Sequence, residues 1–86
     1  MQNLFLERRP RVTERTGDPR SSLYEKIAAG EFPPPIKIGP KASAWPAHET
    51  DQVIAARIAG ATVDQIKILV VRLVKARASL PERVAS

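Results

Sequence analysis

The sequence predicts a mainly α-helical protein with one small β-hairpin, a winged helix-turn-helix followed by a C-terminal amphipathic helix. Three observations lead to this prediction. Proline and glycine divide the first third of the chain into two short helical stretches. A segment with period-two alternation and a Gly-Pro turn comes next. The last third carries apolar residues at alternating three- and four-residue steps, which indicates a helix that buries one face.

The first two predicted helices are short and close together. Residues 10–17 begin with a proline and end with a glycine, which suits a helix of about two turns. In residues 18–30, Asp18 is the expected N-cap, and Leu23 and Ile27 share one face. Two helices joined by a tight turn that contains glycine form the outline of a helix-turn-helix.

A rigid connector and a hairpin follow the second helix. The run Phe32–Pro35 excludes both helix and central strand, and Phe32 is expected in the core. Residues 36–38 alternate as a half-buried strand does, residues 39–42 form a turn, and residues 43–45 return as the partner strand. This hairpin is the predicted wing.

Two longer helices complete the prediction. Pro46 opens a helix that is expected to reach about Ala59. Thr62 and Gln65 have the spacing of a capping box, and the helix that they open is expected to end near Leu80, before a proline.

We therefore divide the chain into a winged helix-turn-helix DNA-binding domain at 1–60 and a C-terminal helix and tail at 61–86. The last helix is too apolar to stand free in water and must bury its apolar face. Three partners are open: its own domain, the same helix of a second copy, or a recombinase or polymerase. We favour a homo-oligomer, formed either as a dimer or as a head-to-tail assembly that DNA assists. The predicted oligomerisation residues are Ile66, Leu69, Leu73 and Leu80.

Composition favours a polyanionic partner and gives no sign of catalysis. The net charge of +5 suits nucleic acid or an acidic membrane surface. The absence of cysteine excludes disulfides, thiolate metal sites and thiol catalysis. His48 is the sole histidine and is expected on the surface without metal partners, whereas Trp45 is expected in the core. With no paired carboxylates, nucleophile arrangement or phosphate-cradling loop, we predict no enzyme, no catalytic residue, no cofactor and no metal.

Targeting signals are also lacking in the sequence. The first six residues are too short and too uncharged for a signal peptide, and no apolar run reaches the roughly 18 residues of a membrane-spanning helix. We expect a cytoplasmic, nucleoid-associated protein without membrane contact.

Several blocks of residues carry a resemblance to a known family. They are Thr16–Gly17, Arg20–Tyr24, Gly30–Gly39 and Trp45 with the acidic helix start after it. Their order and spacing from about residue 9 to about residue 59 resemble the AlpA family of phage-type transcriptional regulators and its excisionase relatives, the recombination directionality factors. That resemblance implies a MerR-like or excisionase-like winged helix-turn-helix that binds double-stranded DNA.

In such a fold the recognition helix enters the major groove and exposes its N-terminal residues to base edges. Arg20 is the best candidate for a bidentate contact with guanine or for a phosphate clamp. Tyr24 is open to either core packing or a phosphate contact. The predicted DNA-binding residues are Arg20, Ser21, Ser22, Tyr24 and Lys26 on the second helix, Lys37 and Lys41 on the wing, and Arg8, Arg9 and Arg11 near the first helix.

The sequence departs from the family pattern at Glu25, where a basic residue is usual. Glu25 would repel phosphate unless it meets a cytosine amino group or pairs with a neighbouring cation. Two functions remain open. The first is a sequence-specific DNA-binding protein of a mobile element, an excisionase or a transcriptional regulator with a site-specific recombinase as a candidate partner. The second is a protein-interaction adaptor that uses the C-terminal helix and has only incidental affinity for nucleic acid.

Overall fold

The structure, a computed structural model, describes residues 4–79 and consists of four helices around a small sheet. The elements in chain order are β1 (Leu6–Glu7), α1 (Arg9–Thr16), α2 (Arg20–Ala28), β2 (Ile36–Gly39), β3 (Ala42–Pro46), α3 (Ala47–Ile58), α4 (Val63–Ala76) and a final 3₁₀ turn (Arg77–Ser79). The predicted fold class is confirmed: a helix-turn-helix with a β-hairpin wing and a C-terminal helix. The predicted oligomerisation residue Leu80 lies outside the described residues.

The sheet is antiparallel, with the strand order β1-β3-β2. The hairpin of β2 and β3 is the predicted one, with Lys37 opposite Ser43 and an irregularity between Lys37 and Gly39. Sequence analysis missed β1, whose Leu6 and Glu7 pair with the end of β3. A strand of two residues offers no alternation to detect, so only its pairing partner reveals it.

The core takes one large side chain from almost every element. Phe32 and Trp45 are both buried, as predicted, and the Nε1 of Trp45 donates a hydrogen bond of 2.9 Å to the carbonyl oxygen of Pro33. This bond fixes the proline-rich connector against β3. The residues of the core cluster are Val12 from α1, Leu23 from α2, Phe32 from the connector, Trp45 from β3, Val53 from α3 and Leu73 from α4.

The turn between α1 and α2 depends on a glycine. Gly17 has φ 77°, a left-handed conformation that residues with a Cβ rarely adopt. Its N–H donates to the carbonyl of Thr13 at 3.0 Å and so ends α1. Because this turn is tight, α2 leaves α1 at once and the two helices pack on each other.

Asp18 does not cap α2, so this prediction is wrong. Pro19 is the N-cap and makes no side-chain capping bond. The carboxylate of Asp18 instead accepts hydrogen bonds from Lys26 Nζ at 2.6 Å and Arg57 Nη1 at 2.9 Å. The reason is electrostatic, because two cations stabilise a half-buried carboxylate more than one backbone N–H does. Asp18 therefore joins the α1–α2 turn to the end of α3.

The predicted capping box opens α4. Gln65 N donates to Thr62 Oγ1 at 3.1 Å, and Thr62 N donates to Gln65 Oε1 at 2.8 Å. The α-helix ends at Ala76, a few residues earlier than expected, and continues as the 3₁₀ turn. In that turn Arg77 binds Glu49 of α3.

The apolar face of α4 is covered by the protein's own domain. Leu73 is buried in the core, Leu69 packs against it, and Ile66 is half-buried. The helix packs on α3. Of the three partners that the sequence left open, the structure shows the first: this face packs on the helix's own domain. Association through the predicted residues stays a prediction.

Candidate nucleic-acid interface

A basic cleft lies where α1, α2 and the wing meet. Its volume is about 500 Å³, and its lining includes Arg8 and Arg9 at the start of α1, Tyr24 of α2 and Lys41 at the wing tip. The buried residue Trp45 forms part of its wall. The fold thus brings together four of the predicted DNA-binding residues, although Arg8 and Lys41 are far apart in the chain.

The wing adds a further cation beside this cleft. Lys37 of β2 is exposed and pairs in the ladder with Ser43 of β3, which itself lines the cleft. Side chains directly opposite each other in a ladder lie on the same face of the sheet. The Lys37 side chain therefore lies on the cleft side of the wing. Sequence analysis missed Ser43, because the turn predicted over residues 39–42 sets Ile38 opposite Ser43, whereas the irregularity between Lys37 and Gly39 sets Lys37 there.

The outward face of α2 is formed by five exposed residues. Leu23 is buried, and Ser22, Lys26 and Ile27 are half-buried, so the helix turns the opposite side to solvent. The guanidinium carbon of Arg20 lies 5.9 Å from the centre of the Tyr24 ring, a cation–π distance. Tyr24, with 43% of its surface exposed, faces solvent and does not fill the core. The exposed residues of this face are Arg20, Ser21, Tyr24, Glu25 and Ala28.

Not every predicted contact residue is equally available. Lys26 is half-buried and bound to Asp18, and Ser22 lies on the flank of α2 beside Lys26. Arg11 is exposed but pairs with Glu14 at 2.5 Å and lies 3.8 Å from Glu7. Their charges or hydroxyls are thus already engaged or turned away from the face that carries Arg20.

The ion pairs divide the basic residues of the described chain into two groups. Within residues 4–79, five cations pair with carboxylates, namely Arg11, Arg15, Lys26, Arg57 and Arg77. The cations of the same range for which no ion pair is seen are Arg8, Arg9, Arg20, Lys37 and Lys41 around the cleft and Lys67, Arg72 and Lys75 on α4. The cleft and the adjoining face of α2 therefore carry a local excess of uncompensated positive charge.

Asp18 links α2 to α3 through its contacts with Lys26 and Arg57. Burial alone would raise the pKa of Asp18, but the hydrogen bonds and charges of Lys26 and Arg57 outweigh it and lower the pKa below 3.8. The carboxylate stays ionised at neutral pH. It therefore keeps α2 fixed relative to α3.

Comparison with known proteins gives a family. The model of the family described as prophage CP4-57 regulatory protein (AlpA) matches residues 5–58, from β1 to the end of α3. The chain belongs to this family. The AlpA match covers the whole surface described above and stops before α4, which therefore lies outside the shared part.

A relative from Enterobacteria phage P4, called uncharacterized protein ORF88, is 46% identical over 59 residues. The match spans 69% of this chain and 66% of the phage protein, just under two thirds of that protein's length. No solved structure matches the chain.

Within the described residues, no group of three or more histidine, cysteine or acidic side chains could hold a metal ion. None of the helices in this part of the chain is both long and apolar enough to span a membrane.

His48 differs from its expected surface position. It is half-buried in the first turn of α3, and its Nδ1 is buried without a hydrogen-bond partner in the described part of the chain. The start of α3 is held against the N-terminal strand, since Pro46 pairs with Leu6 and Ala47 N donates a hydrogen bond of 2.8 Å to the carbonyl oxygen of Phe5. The residues next to His48 in the sequence do not reveal such a long-range contact.

Proposed function

We propose that this protein binds double-stranded DNA in a sequence-specific manner and serves a mobile genetic element as a regulator of transcription or as an excision factor. The observation that carries the proposal is the basic cleft. Arg8, Arg9 and Lys41 surround a concave surface and have no carboxylate partner within residues 4–79. Charges of this kind bind phosphate oxygens and release counterions from DNA.

The arrangement supports a division of labour between phosphate and base contacts. The cations of the cleft and the Tyr24 hydroxyl would bind phosphates of one DNA strand. The outward face of α2, led by Arg20 and Ser21, would then face base edges in the major groove. Membership of a family of phage regulatory proteins is consistent with this role.

The test is a titration of the purified protein on DNA fragments from its own genomic neighbourhood, including any nearby attachment site, at two salt concentrations. We expect tight, salt-sensitive binding to one fragment and weak binding to the others. Arg20→Ala should abolish this preference. Arg72→Ala removes the same charge from the exposed face of α4 and serves as the matched control.

The occupied fragment separates the two biological roles. An attachment site, bound stepwise by several copies that bend the DNA, would support an excision factor that acts with a recombinase. A promoter would support a regulator. Uniform weak binding to every fragment, unchanged by Arg20→Ala, would contradict the proposal and favour a protein-interaction adaptor.

A further inference from the structure

One acidic side chain lies on the face of α2 that is otherwise suited to DNA. Glu25 is exposed and follows Ser21 by one helical turn, so that both point outward. It follows Tyr24, whose ring lies beside Arg20. A carboxylate at this position repels DNA phosphates, whereas the neighbouring cations attract them. Its presence on this face therefore needs a physical reason.

The protein itself offers Glu25 no counter-charge within the described chain. Its sequence neighbour Lys26 is bound to Asp18 at 2.6 Å, and Arg20 lies against Tyr24. No ion pair within residues 4–79 includes Glu25. Glu25 lines a cavity of about 350 Å³ together with a second carboxylate, Glu31, and with Lys26, whose charge is already paired with Asp18.

Binding would remove water from this carboxylate, and burying an unpaired charge is costly. A hydrogen-bond donor on the DNA must therefore replace the lost water. Phosphates and sugars of DNA offer acceptors, whereas the major groove offers amino donors on cytosine and adenine. Adenine carries its N7 acceptor next to the amino group, and that lone pair repels a carboxylate. Cytosine presents its N4 amino group without such a neighbour on the same base.

We propose that Glu25 determines specificity by accepting a hydrogen bond from the N4 amino group of a cytosine in the bound site. The inference rests on the proposed DNA binding. The fixed Asp18–Lys26 pair contributes to it, because it prevents Lys26 from neutralising Glu25. Arg20 and Glu25 are five residues apart, which is about 7.5 Å along a helix. Because a recognition helix lies in the major groove, the cytosine should fall within a few base pairs of the base pair nearest Arg20.

The test is selection of binding sites from a randomised DNA library by the wild-type protein and by three variants. Wild type should select cytosine at one position. Glu25→Ala should lower that preference about fivefold or more and raise affinity for unselected DNA. Glu25→Gln should shift the preference towards adenine, because an amide can bind the amino group and N7 of adenine together. Asp64→Asn makes the same charge change on α4 and should leave the selected site unchanged.

The outcomes separate the two proposals. Selection of no sequence by the wild-type protein would overturn the proposed function and this inference with it. If the wild-type protein selects a site, and Glu25→Ala and Glu25→Gln select the same site with the same base preferences, the role of Glu25 is wrong while the proposed function stands. Because Glu25 is exposed, both variants should melt at the wild-type temperature, which excludes misfolding as a cause.

Discussion

Arg77, just after α4, binds the buried carboxylate of Glu49 in the first turn of α3 through two hydrogen bonds. The Nε–Oε2 distance is 2.8 Å and the Nη2–Oε1 distance is 2.6 Å. Only 1% of the Glu49 side chain and 18% of the Arg77 side chain is exposed. A carboxylate at this depth depends on its partner, because water cannot replace a lost guanidinium.

Removal of this partner should destabilise the fold. We expect Arg77→Met to lower the free energy of unfolding by about 3–5 kcal/mol, since it leaves a buried charge unpaired. Urea denaturation followed by circular dichroism measures the loss. Arg72→Met removes an exposed guanidinium from α4 and should change the free energy by no more than about 0.5 kcal/mol. Equal losses in the free energy of unfolding for the two substitutions would show that the pair with Glu49 does not stabilise the fold more than an exposed arginine does.

Asp18 should make stability depend on pH. Its pKa in the folded protein lies below 3.8, so its contribution is fully present above the unfolded pKa of about 3.9. That contribution disappears as the pH falls through the lowered folded pKa. Asp18→Asn should therefore cost about 1–3 kcal/mol at neutral pH, and the difference from wild type should shrink in acid.

Denaturation midpoints measured from neutral pH down to about pH 2 check this expectation. Asp64→Asn, on the exposed first turn of α4, is the control: it loses only an interaction with the helix dipole of about 0.3–1 kcal/mol and should stay close to the wild-type curve. A difference between Asp18→Asn and wild type that stays constant over the whole range would mean that Lys26 and Arg57 do not stabilise the ionised form.

The buried face of α4 should stabilise a single chain. Leu73 is 7% exposed in the core of its own chain, so Leu73→Ala should cost about 2–5 kcal/mol at every protein concentration. Ile68, 55% exposed on the opposite face, should tolerate alanine. Unfolding at a low and a high protein concentration distinguishes the alternatives. A midpoint that rises with concentration in wild type and not in Leu73→Ala would indicate that Leu73 stabilises an oligomer.

Two lysines near the proposed interface should behave differently on DNA. Lys41 lines the cleft without a carboxylate partner in residues 4–79, so Lys41→Ala should reduce the slope of log affinity against log salt by about 0.9. Lys26 is engaged with Asp18; Lys26→Ala should lower stability and leave the slope nearly unchanged. Affinities measured over a range of salt concentrations provide the comparison. A slope reduced equally by both substitutions would place Lys26 on the DNA.

Local sequence signals predicted most of the elements. The capping box of Thr62 and Gln65 and the existence of the hairpin depend on neighbouring residues, and the structure confirms both. The half-buried alternation predicted for residues 36–38 is wrong at Ile38, which is exposed beside the irregularity between Lys37 and Gly39. The strand β1 and the role of Asp18 depend on partners far along the chain. Propensity and periodicity contain no information about such partners, which explains both failures.

The sequence predicted which residues form the candidate site, but it did not predict how they are placed or which of them are already paired. Charge and resemblance pointed to Arg8, Arg9, Tyr24 and Lys41, which line one cleft. Nothing in the local pattern distinguished Lys26, which a distant turn residue has already paired. Whether a cation is free for an external partner is decided by tertiary contacts.

The hydrogen bond from Arg77 Nη2 to the carbonyl of Pro34, 2.8 Å long, joins residues 43 positions apart. Contacts between such distant residues form late, because closing a long loop costs more entropy than forming a local turn. During translation the helix-turn-helix and the wing leave the ribosome before α4 is complete. The connector that precedes the wing therefore gains its hydrogen bond from Arg77 only after the rest of the domain has been synthesised. Until then, the nascent wing is held by fewer contacts than the wing of the complete domain.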